Sequence, residues 1–409
     1  MTAVAPGTTT AGGQDRVRTR NLSALLRHVH VHGPTTRAEL TALTGLNRST
    51  IGALTTELTN AELVCEEPSA ARAGAGRPSL LVTPRGNQNY VLAFDIGVDY
   101  LFAARVGLGG QVLDRRDLYR PRGEYPLSDV LGHVRRFASE LIAGARPGSW
   151  CAGGGVAIPA LVRHADGLAR DAPNLVWQDA PLQAEIADVL AGLGLRAPVH
   201  IRNDADLGAL AEHLRGAGRG SDFVVYLTGE VGVGAGIINN GRPLNGFGGY
   251  SGEIGHTVVN PTGRLCSCGL RGCWETEVGE KAILDAAGRQ GARTTVAEVV
   301  AAARAGDGRS VAAVRHIGGW LAIGIGNLVS ILNPEVVIMG GMFREIFPLV
   351  RDQVLSALGT GGLQPPRQDV RFVLPGLGAD STLLGAAELA FAPLLDDPLG
   401  VRGPVRGGM

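Results

Sequence analysis

The 409-residue chain carries 38 basic and 38 acidic side chains, a formal net charge of zero, so no overall basic field marks it for nucleic acid and any DNA-reading surface has to be local. Its 45% hydrophobic and 19% charged content is that of a soluble globular protein of two or three domains. Five cysteines with no disulfide-like framework point to a reducing cytoplasm, the N-terminus lacks the apolar core of a signal peptide, and no run of about 18 apolar residues is present to span a membrane.

Residues 1–14 are rich in Thr, Ala and Gly without periodicity and read as a disordered tail. The character changes over 15–85. Leu22, Leu25, Leu26 and Val29 have helical spacing, and Gly33-Pro34 stops that helix. Thr36 and Glu39 are placed for a capping box that opens a second helix, which ends at Gly45. A third helix starts after Asn47 and carries Ile51, Leu54 and Leu58 on one face. Leu63-Val64 and Leu80-Leu81-Val82 then flank a Gly/Arg/Pro loop as the strands of a wing would. This order predicts a winged helix-turn-helix, with Asn47, Arg48, Ser49 and Thr50 presented to the major groove. Arg48 suits bidentate contact with guanine, and Arg16, Arg18 and Arg20 are candidates for phosphate contacts. Gly76-Arg77-Pro78 in the wing would hold Arg77 out to a narrow minor groove. His28, His30 and His32 alternate, a spacing that does not share a helical face and so makes no metal site.

From 86 to 395 the pattern is α/β. Short apolar strands are expected at 91–96, 101–106, 111–113, 154–158, 199–201, 223–227 and 336–339. Helical patterns cover 181–192, 205–214, 310–332 and 381–392. Residues 396–409 read as a loose tail. Cys65 and Cys151 read as small buried fillers.

The stretch Glu253-Ile-Gly-His256 and Cys266-Ser-Cys268-Gly-Leu-Arg-Gly-Cys273-Trp-Glu275 is the most specific signal. His256, Cys266, Cys268 and Cys273 form a closed tetrahedral set for structural Zn2+. Glu253 and Glu275 bracket that knot, so the metal would lock two carboxylates in place, suited to hydrogen bonds with neighbouring hydroxyls, as on a sugar.

This pattern resembles the ROK family of repressors and sugar kinases. The resemblance implies an actin-like two-lobed sugar-kinase fold over 89–394. It also implies a sugar pocket lined by Asn203, Asp204, Glu253, His256 and Glu275, with Asn174 a weaker candidate. In the family's kinases the Asn binds a sugar hydroxyl and the Asp is general base; without the family, Asn203-Asp204 reads as a helix N-cap. His256 would bind metal with one ring nitrogen and sugar with the other. Family repressors carry a segment similar to Gly76-Arg77-Pro78, which supports Arg77 as a DNA contact.

Two phosphate loops depart from the kinase pattern. Asp-x-Gly-Gly-Thr is here Asp95-Ile96-Gly97-Val98-Asp99, and Gly-Thr-Gly-x-Gly-Gly-Gly is Glu230-Val231-Gly232-Val233-Gly234-Ala235-Gly236. Each loop loses a hydroxyl and gains a carboxylate, which should repel ATP phosphates. The wording of 96–100 resembles the xylose-repressor branch. The expectation is therefore a sugar-responsive repressor, not an enzyme, binding a palindromic operator as a homodimer or homotetramer. An active ATP-dependent sugar kinase with a DNA-binding head, and a regulator controlled by protein docking with a vestigial sugar site, are the alternatives.

Overall fold

The computed structural model describes residues 11–68, 79–123, 125–289 and 294–402. Three helices open the chain: α1 (Ala11–His32), α2 (Arg37–Thr44) and α3 (Arg48–Asn60). The capping box forms: Thr36 accepts from the Glu39 amide, and the Glu39 carboxylate accepts from the Thr36 amide. Gly45 ends α2 at φ +68° and donates to the Thr41 carbonyl, a left-handed turn that a side chain would strain. Strands β1 (Thr35–Thr36), β2 (Val64–Pro68) and β3 (Leu80–Pro84) form an antiparallel sheet in the order β1-β3-β2.

Two five-stranded sheets follow, and they repeat one design. In the first, β4 (Asn89–Ile96), β5 (Tyr100–Gly107) and β6 (Val112–Tyr119) form an antiparallel meander. Helix α4 (Leu127–Ala143) then leads to β7 (Trp150–Ile158), which lies parallel to β4. A small antiparallel sheet, β8 (Leu161–Arg163), β9 (Leu168–Ala172) and β10 (Trp177–Ala180), and helix α5 (Leu182–Ala191) precede β11 (Val199–Asn203), parallel to β7. The second sheet has the meander β12 (Phe223–Gly229), β13 (Val233–Asn239) and β14 (Arg242–Pro243), then parallel β15 (Val336–Gly341) and β16 (Arg371–Val373). The orders β11-β7-β4-β5-β6 and β14-β13-β12-β15-β16 carry the same connectivity, the doubled lobe of an actin-like fold.

Helix α6 (Asp204–Arg215) and the helix Ser381–Asp396 cross between the lobes. They approach so closely that a Cβ on Gly385 would lie 2.0 Å from the Leu207 carbonyl oxygen. Leu22, Leu25, Leu26 and Val29 of α1 belong to one hydrophobic cluster with Ile51 and Leu58 of α3, Val91 and Val106 of the first sheet, and Phe391 and Leu394 of the helix Ser381–Asp396. The N-terminal unit therefore does not sit apart on a linker. Each of these fully buried side chains contributes roughly 1.5–3 kcal/mol, so head and first lobe share their stability.

Both expected tails need correction. Helix α1 begins at Ala11, inside the stretch read as a disordered tail; residues 1–10 lie outside the described residues. At the other end, Pro398–Arg402 is a helix whose Leu399 and Val401 pack on the core shared with α1. The low apolar count of 396–409 hid this, because two side chains suffice where a neighbouring helix supplies the rest of the core. Residues 403–409 lie outside the described residues. No helix among the described residues is long and apolar enough to cross a membrane.

Candidate functional site

A cleft of about 480 Å3 opens between the lobes. Asn174, Asn203 and Asp204 line it from the first lobe, and Glu230, Glu253, His256 and Glu275 from the second. All five residues expected in the sugar pocket thus meet in one cavity. Asn203 ends β11 and caps α6: its Oδ1 accepts from the amides of Ala205 at 2.8 Å and Asp206 at 3.4 Å, and its Nδ2 donates to the Ala160 carbonyl. The N-cap role read from the sequence is therefore realised in the same residue that lines the cleft. Burial raises the Asp204 carboxyl above the usual range, the direction that favours a proton acceptor poised nearer neutrality.

The knot is built beside Glu253 and Glu275. A 3-10 turn (Ile254–His256) sets His256, and the isolated bridges Val258–Cys273 and Leu265–Arg271 fold the cysteine loop back. Gly272 takes φ +70° with a Cβ position only 1.5 Å from the Asn260 carbonyl oxygen, so no other residue fits there. One ligand atom from each of His256, Cys266, Cys268 and Cys273 lies within 4.8 Å of all the others. The Cys268 and Cys273 sulfurs are 3.6 Å apart, and Cys266 Sγ is 3.5 Å from His256 Nδ1. Tetrahedral bonds of about 2.3 Å require sulfur–sulfur spacings of roughly 3.8 Å, so the cluster fits a four-coordinate ion. Nδ1 faces the sulfurs, while Nε2 lies 4.0 Å from Glu253 Oε2, leaving that nitrogen on the Glu253 side.

The loops facing the cleft's other end differ from the sequence expectation. Asp99 is paired with Arg122 at 3.0 Å, so its charge is partly compensated. Arg122 also pairs with Glu280 of the second lobe. The ring of Tyr100 lies over Gly97, where an added Cβ would meet it at 2.2 Å, and its hydroxyl donates across the cleft to Glu230 Oε1 at 3.4 Å. Burial, with Asp204 and Asp99 nearby, pushes the Glu230 carboxyl up to about 8. Asp95 is buried with Oδ1 unpartnered, and burial beside Glu230 and Asp204 raises it well above the usual range. Glu230 is therefore largely protonated near neutral pH. The expected charge repulsion is weaker than two free carboxylates would give. Sequence reading noted Tyr100 only within the stretch 96–100 and gave it no contact, because its partner Glu230 lies 130 positions away.

At the N-terminal unit, Asn47, Arg48 and Ser49 are exposed and Thr50 is half-buried at the start of α3. The Asn47 side chain is occupied as N-cap, accepting from the Thr50 amide and the Ser49 hydroxyl. The structure separates the arginines of α1. Arg18 pairs at 2.8 Å with Glu57, about 13 Å along α3 from Arg48. Arg16 and Arg20 line a surface groove on another face with Asp396. Arg77 lies outside the described residues.

Sequence reading also missed a buried polar cluster joining the units. His30 is fully buried, its Nε2 is 3.0 Å from Glu388 Oε2, and its Nδ1 accepts from the Gly109 amide at 2.9 Å. Arg215 donates to Glu388 at 2.6 Å. A lone glutamate in the apolar run Leu383–Phe391 was the available signal, since such a group needs a buried partner. On the opposite face His28 and His32, four apart and therefore sharing a face against the sequence expectation, meet with ring centroids 4.4 Å apart and planes tilted by 37°.

Comparison with known proteins matches residues 91–392 to the ROK family. The xylose repressor of Bacillus subtilis (strain 168) is 29% identical over 387 residues, covering 94% of this chain and 98% of the relative. A crystal structure of a ROK family transcriptional regulator, a homologue of the E. coli MLC protein, superposes with a TM-score of 0.78 at 26% identity, covering 95% of this chain and 99% of that one. A ROK family glucokinase from Streptomyces griseus, solved with glucose and AMPPNP, gives a TM-score of 0.64 at 26% identity, covering 74% and 99%. The family match spans well over half of the chain, and it includes both lobes, the cleft and the cysteine knot: the protein belongs to the ROK family.

Proposed function

We propose that this protein is a sugar-responsive transcriptional repressor. Its N-terminal unit acts as a winged helix-turn-helix that binds a palindromic operator through Arg48, Ser49 and Thr50 at the start of α3, with Arg77 from the wing and Asn47 fixing the helix end. A sugar binds in the cleft at Asn203, Asp204, Glu253, His256 and Glu275. A structural zinc ion on His256, Cys266, Cys268 and Cys273 holds Glu253 and Glu275 at their stations. The protein works in the cytoplasm as a homodimer or homotetramer.

The observation that carries this reading over a kinase is the pair of contacts across the far end of the cleft. Tyr100–Glu230 and Arg122–Glu280 join the lobes beside the loops that correspond to the phosphate loops of the family's kinases, at one side of the cleft that the sugar-side residues line. These cross-lobe contacts support a binding cleft that works without a phosphoryl donor. Similarity to a xylose repressor along nearly the whole chain, including the part before residue 91, supports the same reading.

The test is fluorescence anisotropy on DNA from upstream of the gene, with a panel of free sugars including D-xylose and D-glucose. Sequence-specific binding that one sugar changes by tenfold or more is expected. Binding indifferent to every sugar would remove the effector role and favour control by protein docking. The similarity to a glucokinase and the raised Asp204 carboxyl favour the kinase as second reading. Sugar-dependent ADP release that vanishes in Asp204→Asn would establish it.

A further inference from the structure

Helix α6 has one end in the cleft and the other on the DNA-binding head. Its N-terminus is Asn203-Asp204. Its last residue is Arg215, twelve residues on, or about 18 Å away. The Arg215 guanidinium donates to the carbonyls of His30 at 3.0 Å and Val31 at 3.4 Å, in the final turn of α1, and to that of Gly109 at 3.1 Å. Those α1 carbonyls have no partner within their own helix, so a cation there both caps the helix and complements its dipole.

Glu388 sets the geometry from below. It is 5% exposed and accepts from Arg215 Nε and from His30 Nε2. The Gly109 amide donates to His30 Nδ1, which leaves the ring proton on Nε2 to be donated to Glu388. Burial would raise the Glu388 carboxyl, but its partners His30 and Arg215 hold it below the usual range. Gly110, at φ +83°, leaves room for the guanidinium: a Cβ there would lie 2.4 Å from Arg215 Cζ. The cluster therefore ties the end of α1, the β5–β6 turn, α6 and the helix Ser381–Asp396 at one point. A buried, fully partnered network of this kind moves as a unit or breaks.

We propose that α6 is the rod that carries cleft occupancy to the DNA-binding head, with Arg215 as the coupling residue and Glu388 and His30 as its socket. This rests on the reading that a ligand binds at Asn203 and Asp204. A shift of the N-terminus of α6 on ligand binding displaces Arg215, and with it the C-terminal turn of α1. Helix α1 packs on α3 through Leu22, Leu25 and Leu26, so the reading helix follows.

The test is Arg215→Lys in the full-length protein. Lysine keeps a cation for Glu388 but cannot span the carbonyls and the carboxylate together. Sugar binding by calorimetry, with D-xylose and D-glucose as probes, should stay within twofold of the parent protein, while the sugar-induced change in operator affinity falls from tenfold or more to below threefold. A folded Arg215→Lys protein that keeps the full sugar response overturns the proposal. If neither sugar binds the parent protein, the effector reading fails by itself, and the rod is then judged without ligand by a double-mutant cycle on operator affinity between Asn203→Ala and Arg215→Lys. Effects that deviate from additivity by more than threefold support the rod, and additive effects overturn it. Glu388→Gln serves the same cycle if Arg215→Lys does not fold.

Discussion

Replacing Glu230 with Gln should remove a specific pH dependence of stability. Glu230 is half-buried and donates or accepts at Tyr100 according to its protonation. Its carboxyl titrates at about 8 in the folded protein against an ordinary 4.5, raised by burial and by Asp204 and Asp99. Below the unfolded value both states are protonated and nothing is lost. As pH rises above it, the unfolded chain releases this proton while the folded chain keeps it until about 8. Folding then binds more protons than unfolding, so stability falls with pH through this window. Each pH unit costs up to about 1.36 kcal/mol per proton, or ~4 kcal/mol from pH 5 to 8; screening at a half-buried group reduces this to ~2 kcal/mol. Glutamine preserves the shape and the Tyr100 contact without the titration. Urea unfolding at several pH values should therefore show the parent protein losing ~2 kcal/mol more than Glu230→Gln over that range. Parallel curves for the two proteins would refute the assignment of a protonated Glu230 to the cleft.

Cys273→Ser, or prolonged chelation, should take the metal content from about one zinc per chain to near zero by atomic absorption and cost several kcal/mol of stability, since the binding energy of a structural zinc is folding energy; unchanged stability would leave the knot without a structural role. Phe391→Ala should cost about 3–5 kcal/mol and lower a single calorimetric transition, because that side chain belongs to the core shared by head and first lobe; a head that melts separately would contradict the shared core. Arg48→Ala should weaken operator binding by about 1–3 kcal/mol and relax specificity, whereas Arg18→Ala, whose arginine is tied to Glu57, should change affinity less than about twofold; both are read by anisotropy on operator and on scrambled DNA.

What the sequence by itself determined was local. Helix ends at Thr36 and Asn47 follow from side chain–backbone bonds, and that at Gly45 from a backbone bond to Thr41, all within three or four residues. The candidate metal ligands His256, Cys266, Cys268 and Cys273 span eighteen positions, and their types and spacing alone mark them as a set that the fold brings together. The tertiary structure decided whatever depends on residues far apart in the chain. Glu388 and His30, separated by 358 positions, become one buried pair. Arg122 reaches Glu280 and Tyr100 reaches Glu230 because the two lobes close on each other. The arginines of α1 part company because residues two apart on a helix point to different neighbours. Pattern and spacing report what a segment can do with its own backbone and nearest side chains. Which charge is compensated, which polar group is buried and which helix touches which cleft are set by packing between segments, whose partners no local pattern names.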